Sequence, residues 1–156
     1  LSPFKQHTAA PAALRLEMCG CFRQLAQGEE AVTPQLEVSS WEIAQAEAGR
    51  RNYTVLTVEM LAAQDPEGEL YLAVGSDMLL SFDGWHRWQD ILRLAHLVVT
   101  SRHVGPAGQR ILFAPVTALP MASSALRQRL AAGEDCAEEL PEAVRAVIRR
   151  EHLYQT

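Results

Sequence analysis

The run Pro120-Met121-Ala122-Ser123-Ser124-Ala125-Leu126-Arg127 has the composition of a strand end, a pair of hydroxyls and a helix that carries arginine in its second turn. Ser123 or Ser124 can cap such a helix by accepting a hydrogen bond from a free backbone N–H group. Those N–H groups and the helix dipole favour phosphate, and Arg127 could add a planar fork of donors. The sequence therefore offers a candidate phosphate site here, with a simple helix cap as the alternative.

A second candidate lies in Gly75-Ser76-Asp77, which directly follows a run typical of a buried strand. Glycine lets a ligand approach the backbone closely, and an aspartate there can accept hydrogen bonds from ribose hydroxyls. The alternative is an ordinary helix start, with Gly75 in the turn and Asp77 as the cap.

Two tryptophans nearby have different expected environments. Trp85 stands beside Gly84, so its ring either offers a flat face on which an aromatic ligand stacks or packs in the core. Trp88 leads into the apolar positions of a helix, and we expect it in the core. We expect His86, between them, in solvent.

Several cations stand near predicted element ends. Arg50 and Arg51 precede a helix, which is unfavourable for the helix dipole unless an anion lies between them; a solvated basic turn is the alternative. Exposed backbone groups at Tyr53-Thr54 could bind an amide or a carboxylate. Lys5 is uninformative by itself, whereas Arg102 at a strand end suits phosphates. The spacing shows no Ser–His–Asp arrangement, paired carboxylates or Gly-rich phosphate loop, so it assigns no nucleophile or general base.

Composition limits the class of protein. With 156 residues, 48% of them hydrophobic and 21% charged, the chain is predicted to form one globular domain over residues 1–156. The net charge of −5 argues against nucleic acid as a partner. No apolar run approaches the roughly 18 residues that span a bilayer, and no signal-peptide pattern appears. We therefore expect no membrane partner and a cytoplasmic location. Cys19, Cys21 and Cys136 are predicted to be free thiols, and their spacing is poor for a metal.

Hydrophobic periodicity predicts the elements that must position these residues. Helices are predicted over residues 11–28, 53–64, 78–82, 85–94, 124–132 and 141–151. Thr54 is the predicted cap of the second helix. The helical spacing predicts inward positions for Leu14 and Met18 in the first helix and for Val144, Val147 and Ile148 in the last. Strands are predicted over 35–40, 69–74, 96–101 and 110–114, and a loop over 44–52. Helices that alternate with strands predict an α/β fold with a mainly parallel sheet, and the near-continuous apolar run at 69–74 predicts helices on both faces. Ligands of such sheets lie beyond the carboxyl ends of the strands, where we expect Gly75-Ser76-Asp77, Ser101-Arg102 and Ser123-Ser124.

Taken in order, these stretches resemble those of the bacterial nicotinate-nucleotide adenylyltransferases, over residues 2–154. Ser2-Pro3-Phe4-Lys5 resembles the family's Pro-Pro-His-Lys loop, and Asn52-Tyr53-Thr54-Val55-Leu56-Thr57 resembles its Ser-Tyr-Thr-Val-x-Thr. The segment from Gly75 through Trp85 to Arg102 resembles its Gly-x-Asp … Trp … strand-Arg segment. Residues 120–127 resemble its Ile-Ser-x-Thr-x-Ile-Arg signature.

The resemblance implies a Rossmann-like nucleotidyltransferase fold and an activity. The activity is adenylyl transfer from ATP, accompanied by Mg²⁺, to nicotinic acid mononucleotide. The products are deamido-NAD and pyrophosphate, in NAD biosynthesis. The partners implied are thus two small nucleotides, and a homo-oligomer is compatible with the chain.

The resemblance also implies roles for individual residues. Trp85 would stack on the nicotinate ring, and Tyr53 and Thr54 would present backbone hydrogen bonds to its carboxylate. Gly75 and Asp77 would hold ribose. The residues implied to lie near phosphates are Lys5 and Arg102, and those implied to bind the ATP triphosphate are Ser123, Ser124 and Arg127.

The chain departs from the family pattern in three places. The stretch Gly-x-Phe-Asp-Pro-x-His-x-Gly-His, which supplies the first strand and the catalytic histidines, is absent. Phe4 and Ser124 replace a histidine and a threonine, and the loop over 102–123 is short. We expect a further segment before residue 1 and no turnover by this chain alone. The alternatives are a non-catalytic nucleotide-binding or oligomeric relative, an unrelated α/β protein whose last two helices bind partners, and an enzyme that prefers the amide nucleotide.

Overall fold

The computed structural model describes residues 10–24, 36–100, 111–114 and 123–154, which belong to two compact units. One unit, which we call the sheet unit, comprises residues 50–120. The other, which we call the helical unit, combines residues 3–49 with residues 121–156. The single domain over residues 1–156 stays a prediction.

The described part of the chain begins and ends with helices, and its strands lie between them in sequence. The helices are α1 (Ala12–Gly20), α2 (Trp41–Glu47), α3 (Thr54–Gln64), α4 (Ser76–Leu79), α5 (Trp88–Leu94), α6 (Ser123–Ala131) and α7 (Glu142–Arg150). The strands are β1 (Leu70–Gly75), β2 (Ala95–Thr100) and β3 (Ile111–Ala114). Short 3₁₀ turns cover Cys21–Gln24 and Phe82–Gly84. No helix among these described ranges is both long and apolar enough to cross a membrane.

The sheet unit is built on three parallel strands in the order β1-β2-β3. Leu72 pairs with Leu97, and Leu97 pairs with Ile111, so the three strands run in register. Helices connect β1 to β2, as parallel strands require. This arrangement confirms the predicted α/β class and the parallel sheet.

The core of the sheet unit lies between one face of the sheet and helices α3 and α5. Ile91 of α5, Leu97 of β2 and Val55 of α3 are fully buried. Trp88 packs against this core with its ring edge-on to Phe82, at a centroid distance of 6.2 Å. The core environment predicted for Trp88 is therefore confirmed.

The other face of the sheet is more open than the apolar run at 69–74 predicts. Tyr71 on β1 is 54% exposed and Ala73 is also exposed. The Tyr71 ring stacks on His96 of β2 at 5.1 Å, and its hydroxyl donates to Glu69 at 2.8 Å. Within the described residues, the outward positions of β1 carry a polar aromatic residue and a small one, and this face of the strand is more exposed than the other. Side chains that alternate between faces produce this pattern.

In the helical unit, α1 packs against α7 around a core of its own. Val144 and Ile148 of α7 are buried with Leu153, and Leu14 and Met18 of α1 pack against them. The inward positions of Val144, Ile148, Leu14 and Met18 are predicted from the helical spacing and are confirmed, whereas Leu153 was not predicted. Leu25 and Gly28, predicted for the end of the first helix, lie outside the described residues.

Ion pairs surround this core on the surface of the helical unit. Arg150 of α7 contacts Glu17 of α1 at 2.8 Å, and Arg129 of α6 contacts Glu134 at 2.6 Å. Cys136 is buried beside them, Cys21 is partly buried and Cys19 is exposed, and all three are free thiols as predicted.

The region around residue 40 differs from the prediction. Residues 36–40 form no strand, and α2 begins at Trp41 and runs into the loop predicted over 44–52. Leu36 is 45% exposed, so no buried face supports a strand there. The Ser40 carbonyl accepts hydrogen bonds from Ile43 and Ala44, and the alanines that follow favour a helix. Helix propensity therefore outweighs the short apolar alternation.

Candidate functional site

The carboxyl ends of the three strands meet at one edge of the sheet. Gly75 pairs with Thr100, and Thr100 pairs with Ala114, so the strands end level with one another. The Thr100 hydroxyl donates a hydrogen bond to the carbonyl of Val74 at 3.4 Å, which fastens β2 to β1 at this edge. In parallel sheets this is the edge at which ligands bind.

Gly75 and Asp77 lie together at this edge. Gly75 precedes α4 in an extended conformation (φ −71°, ψ 153°), and Asp77 stands exposed in the first turn of α4. A Cβ added to Gly75 would lie 2.5 Å from Oδ1 of Asp77, so the carboxylate folds back over the glycine. The Asp77 side chain does not cap α4, because Gly75 occupies the capping position and no side-chain cap bond is made. The helix-cap alternative for Asp77 is therefore wrong, and its exposed carboxylate remains available as an acceptor.

The N-terminus of α3 is formed differently from the prediction. Tyr53, in an extended conformation, occupies the capping position, and Thr54 is the first helical residue. Thr54 was predicted to be the cap, and that prediction is wrong. No side chain caps α3. A helix start without a side-chain cap favours an anionic group, because its first N–H groups and the helix dipole point outward.

Trp85 precedes α5 and was predicted within it. The helix begins only at Trp88, because the turn at residues 85–87 separates it from the 3₁₀ turn. The Trp85 ring packs against Phe82 at a centroid distance of 5.2 Å and an interplanar angle of 50°. Its side chain is half-buried, so one part of the ring belongs to the core and another part stays accessible.

His86 is exposed, as predicted, yet it has a specific neighbour. Its ring lies 4.2 Å from that of Tyr53, with 33° between the planes. Arg51 donates a hydrogen bond to the Tyr53 hydroxyl at 3.4 Å, which raises the pKa of the guanidinium. Arg51 is thus part of a small exposed cluster at the start of α3, which spacing alone did not reveal.

Arg87 joins the same turn to α3 farther along. Its guanidinium contacts Glu59 of α3 at 2.6 Å and Asp90 of α5 at 2.8 Å. The hydrogen bond from Arg87 holds the pKa of Asp90 below its usual range, with Arg93 contributing as well. The Arg87–Asp90 contact has helical (i, i+3) spacing and could have been found from the sequence. The contact with Glu59 gave no such signal.

The predicted phosphate-binding residues lie elsewhere in the chain. Ser123 and Ser124 form the first turn of α6, and both are exposed, as is Arg127. The helix was predicted from residue 124 and to stop at Gly133, and the structure gives Ser123–Ala131 with Gly133 just beyond it at φ +85°. These residues belong to the helical unit, and the other candidates above belong to the sheet unit. Lys5 and Arg102 lie outside the described residues.

The described side chains do not offer the ligand set of a bound metal. In residues 10–24, 36–100, 111–114 and 123–154, no three His, Cys, Asp or Glu side chains cluster as metal ligands would. These side chains do not fit a resident metal ion, and we derive no chemical step from one.

Comparison with known proteins places this geometry in context. A sequence profile of cytidylyltransferase-like proteins matches residues 2–129. A protein of Acidithiobacillus ferrooxidans named "Probable nicotinate-nucleotide adenylyltransferase" is 37% identical over 149 residues, covering 79% of this chain and 67% of the relative. A protein of the same name from Chloroherpeton thalassium is 34% identical, over 99% of this chain and 78% of the relative. A third, from Bacillus pumilus, is 33% identical, over 74% of this chain and 62% of the relative.

Proposed function

The chain belongs to the nicotinate-nucleotide adenylyltransferases within the cytidylyltransferase-like family, and from that membership we propose that it serves adenylyl transfer from ATP to nicotinic acid mononucleotide. The products are deamido-NAD and pyrophosphate, and the fold is the Rossmann-like α/β fold of nucleotidyltransferases. The enzyme acts in NAD biosynthesis.

One observation in the sheet unit supports this proposal most directly. The turn that carries Trp85 contacts the start of α3, which has no side-chain cap, because the ring of His86 lies 4.2 Å from that of Tyr53. Trp85, which is partly accessible, and Tyr53, at a helix start that favours an anion, both pack against the same core. A ligand with an aromatic ring and a carboxylate, such as nicotinate, suits that pair of features.

We assign the acceptor nucleotide to the sheet unit. Trp85 stacks on the nicotinate ring, and the backbone groups of Tyr53 and Thr54 bind its carboxylate. The Asp77 carboxylate accepts hydrogen bonds from ribose hydroxyls, and Gly75 makes room for that carboxylate, which lies where a Cβ would stand. The first N–H groups of α3, which no side chain caps, are donors that suit an anionic carboxylate. We therefore propose the acid nucleotide over its amide.

We assign the triphosphate of ATP to a set of donors and cations. Their shared property is that each can neutralise or hydrogen-bond phosphate oxygens. The set comprises Ser123, Ser124 and Arg127. Lys5 and Arg102 are proposed to lie near phosphates, without assignment to ATP. Mg²⁺ enters as part of the substrate, bound to the phosphates of ATP.

The chemistry of the transfer is a displacement at phosphorus. An oxygen of the mononucleotide phosphate attacks the α-phosphorus of ATP, the bond from that phosphorus to its bridging oxygen breaks, and pyrophosphate leaves with the electron pair. The two substrates supply all the bonds that form and break. The protein contributes by positioning the substrates and by supplying positive charge.

We further propose that the enzyme is cytoplasmic and that its partners are small molecules, with neither nucleic acid nor a membrane among them. It is proposed to be either a monomer or a homo-oligomer.

Isothermal titration of the purified protein with nicotinic acid mononucleotide tests the acceptor site. We expect saturable binding, weaker binding of the amide mononucleotide, and a rise of roughly tenfold or more in Kd for Trp85→Ala, since stacking and apolar burial are both lost. Trp41→Ala, on α2 of the helical unit, is the matched control and should bind as the wild type does. Equal binding by Trp85→Ala and the wild type would exclude the assigned role.

A further inference from the structure

We propose that Arg87 is a positioning residue, which through its ion pair with Glu59 holds the Trp85-bearing turn against α3 and so shapes the acceptor site. This inference rests on the proposed function. Arg87 is assigned no contact with either substrate. Its effect on binding passes through the two features that flank the site, the Trp85 ring and the start of α3.

Its side-chain contacts join Arg87, in the turn, to two helices. Its Nη2 contacts Oε1 of Glu59 on α3 at 2.6 Å, and its Nε contacts Oδ2 of Asp90 on α5 at 2.8 Å. The guanidinium is a rigid planar fork, so one side chain can satisfy both carboxylates at once. Both contacts raise the pKa of Arg87, with Glu59 the larger cause.

The turn that carries Trp85 is attached to α3 at two points. The His86 ring contacts that of Tyr53 at the start of α3, and Arg87 pairs with Glu59 farther along the same helix. At a rise of 1.5 Å per residue, these two points lie roughly 9 Å apart along the helix axis. A turn held at one point can pivot in any direction, whereas a second point limits it to rotation about the line that joins the two. The second contact therefore restricts the orientation of Trp85, which immediately precedes the pair.

The backbone at Arg87 is consistent with this role. Arg87 has φ 53° and ψ 42°, the left-handed region that non-glycine residues rarely adopt. Residues persist in that region when their surroundings over-determine it. Its carbonyl also accepts the first hydrogen bonds of α5, from Asp90 at 2.9 Å. The side-chain contacts to two helices supply the constraint that keeps this conformation.

Arg93 provides a closely matched control within the chain. It contacts the same Asp90 at 2.6 Å, from the same helix, and its side chain is 76% exposed. Its contact joins two residues within α5, whereas the Arg87–Glu59 contact joins the turn to α3. If the loss of any positive charge near α5 were enough to change binding, neutral substitutions of Arg87 and of Arg93 would have the same effect.

The test is a double-mutant cycle of Glu59→Gln and Arg87→Gln with two readouts. The first is the Kd for nicotinic acid mononucleotide by titration calorimetry. The second is the ¹⁹F spectrum of the ligand-free protein labelled with 5-fluorotryptophan, with the Trp85 signal assigned by a Trp85→Phe variant. Arg93→Gln is the control, and Arg87→Lys is the conservative variant, which keeps a charge opposite Glu59 but loses the fork.

We expect each single variant to raise Kd roughly three- to tenfold, and the double variant no more than the larger single one, because the two changes remove the same contact. The ¹⁹F signal of Trp85 should shift or broaden in both Glu59→Gln and Arg87→Gln. Arg93→Gln should match the wild type in Kd and in this signal, and Arg87→Lys should fall between the wild type and Arg87→Gln. Wild-type affinity in both single variants, or strictly additive losses, would overturn the inference.

The two readouts separate this inference from the proposed function. If the wild-type protein binds no nicotinic acid mononucleotide, the proposed acceptor site fails. In that case the ¹⁹F signal still decides whether the ion pair orders the Trp85 turn, and an unchanged Trp85 signal in Arg87→Gln would overturn that ordering.

Discussion

Tyr53 and His86, which are distant in the sequence, pack with their ring centroids 4.2 Å apart and their planes at 33°. This ring stack, as we call it, joins the start of α3 to the turn that carries Trp85. Neither residue is part of the sheet edge, yet both stand beside residues of the proposed acceptor site.

Removing the stack should weaken acceptor binding without abolishing it. We expect His86→Ala to raise the Kd for nicotinic acid mononucleotide roughly two- to fivefold, since one exposed ring pair is lost. His96→Ala is the matched control, because His96 stacks on Tyr71 at 5.1 Å on the exposed sheet face. Titration calorimetry measures both, and an equal change in the two variants would show that the Tyr53 stack has no special role.

The sheet-unit core should respond strongly to a cavity. Ile91 is 0% exposed beneath α3 and β2, so Ile91→Ala should lower the free energy of unfolding by about 2–5 kcal/mol. Leu80→Ala, at a position 88% exposed, should change it by less than about 0.5 kcal/mol. Urea unfolding measures both values. Similar losses for the two variants would contradict the assigned core.

Two glycines should respond differently to replacement by alanine. Gly133, with φ +85° after α6, adopts a conformation that L residues rarely take, so Gly133→Ala should destabilise the protein by about 1 kcal/mol. Gly84 has open space around it and no positive φ, so Gly84→Ala should be neutral or stabilising, by up to about 1 kcal/mol. Thermal unfolding of the two variants measures both effects. A loss of stability found only in Gly84→Ala would contradict the backbone conformation described.

The ion pair between Glu17 and Arg150 should make stability depend on acidity. The hydrogen bond from Arg150 lowers the pKa of Glu17 in the folded protein. A lowered folded pKa stabilises the fold above the ordinary glutamate pKa of about 4.3, and that contribution disappears as the pH falls through the folded value.

We therefore expect Glu17→Gln to melt slightly below the wild type at neutral pH, with a difference that vanishes in acid. The effect should be small, because both side chains are largely exposed and screened by solvent. Glu138→Gln, at an exposed position of the same unit, is the control. A difference in melting temperature that grows as the pH falls would contradict the assigned sign.

Local patterns predicted much of the secondary structure. The apolar spacing in α7 correctly gave Val144, Val147 and Ile148 as inward residues, because a helix repeats its faces on a fixed period. The parallel sheet followed from strands that alternate with helices. The same reasoning failed at residues 36–40, where two apolar residues in alternation predicted a strand but no buried face exists to hold one.

The site was predicted only in part, for a physical reason. Gly75, Asp77 and Trp85 could be singled out because each follows or precedes an element in a recognisable way. Glu59 and Arg87 could not, since a contact across 28 residues depends on how α3 packs on α5 and leaves no periodic signal. The left-handed backbone at Arg87 was equally hidden, because arginine has no preference for it.

The central claim is adenylyl transfer to nicotinic acid mononucleotide, and product analysis tests it most directly. The protein, as its own cell produces it, is incubated with the mononucleotide, Mg²⁺ and either ATP or CTP, and the products are separated by chromatography. We predict deamido-NAD and pyrophosphate in equal amounts from ATP, and little or no product from CTP. Binding of both nucleotides without either product would contradict the enzyme assignment and leave a non-catalytic relative in its place.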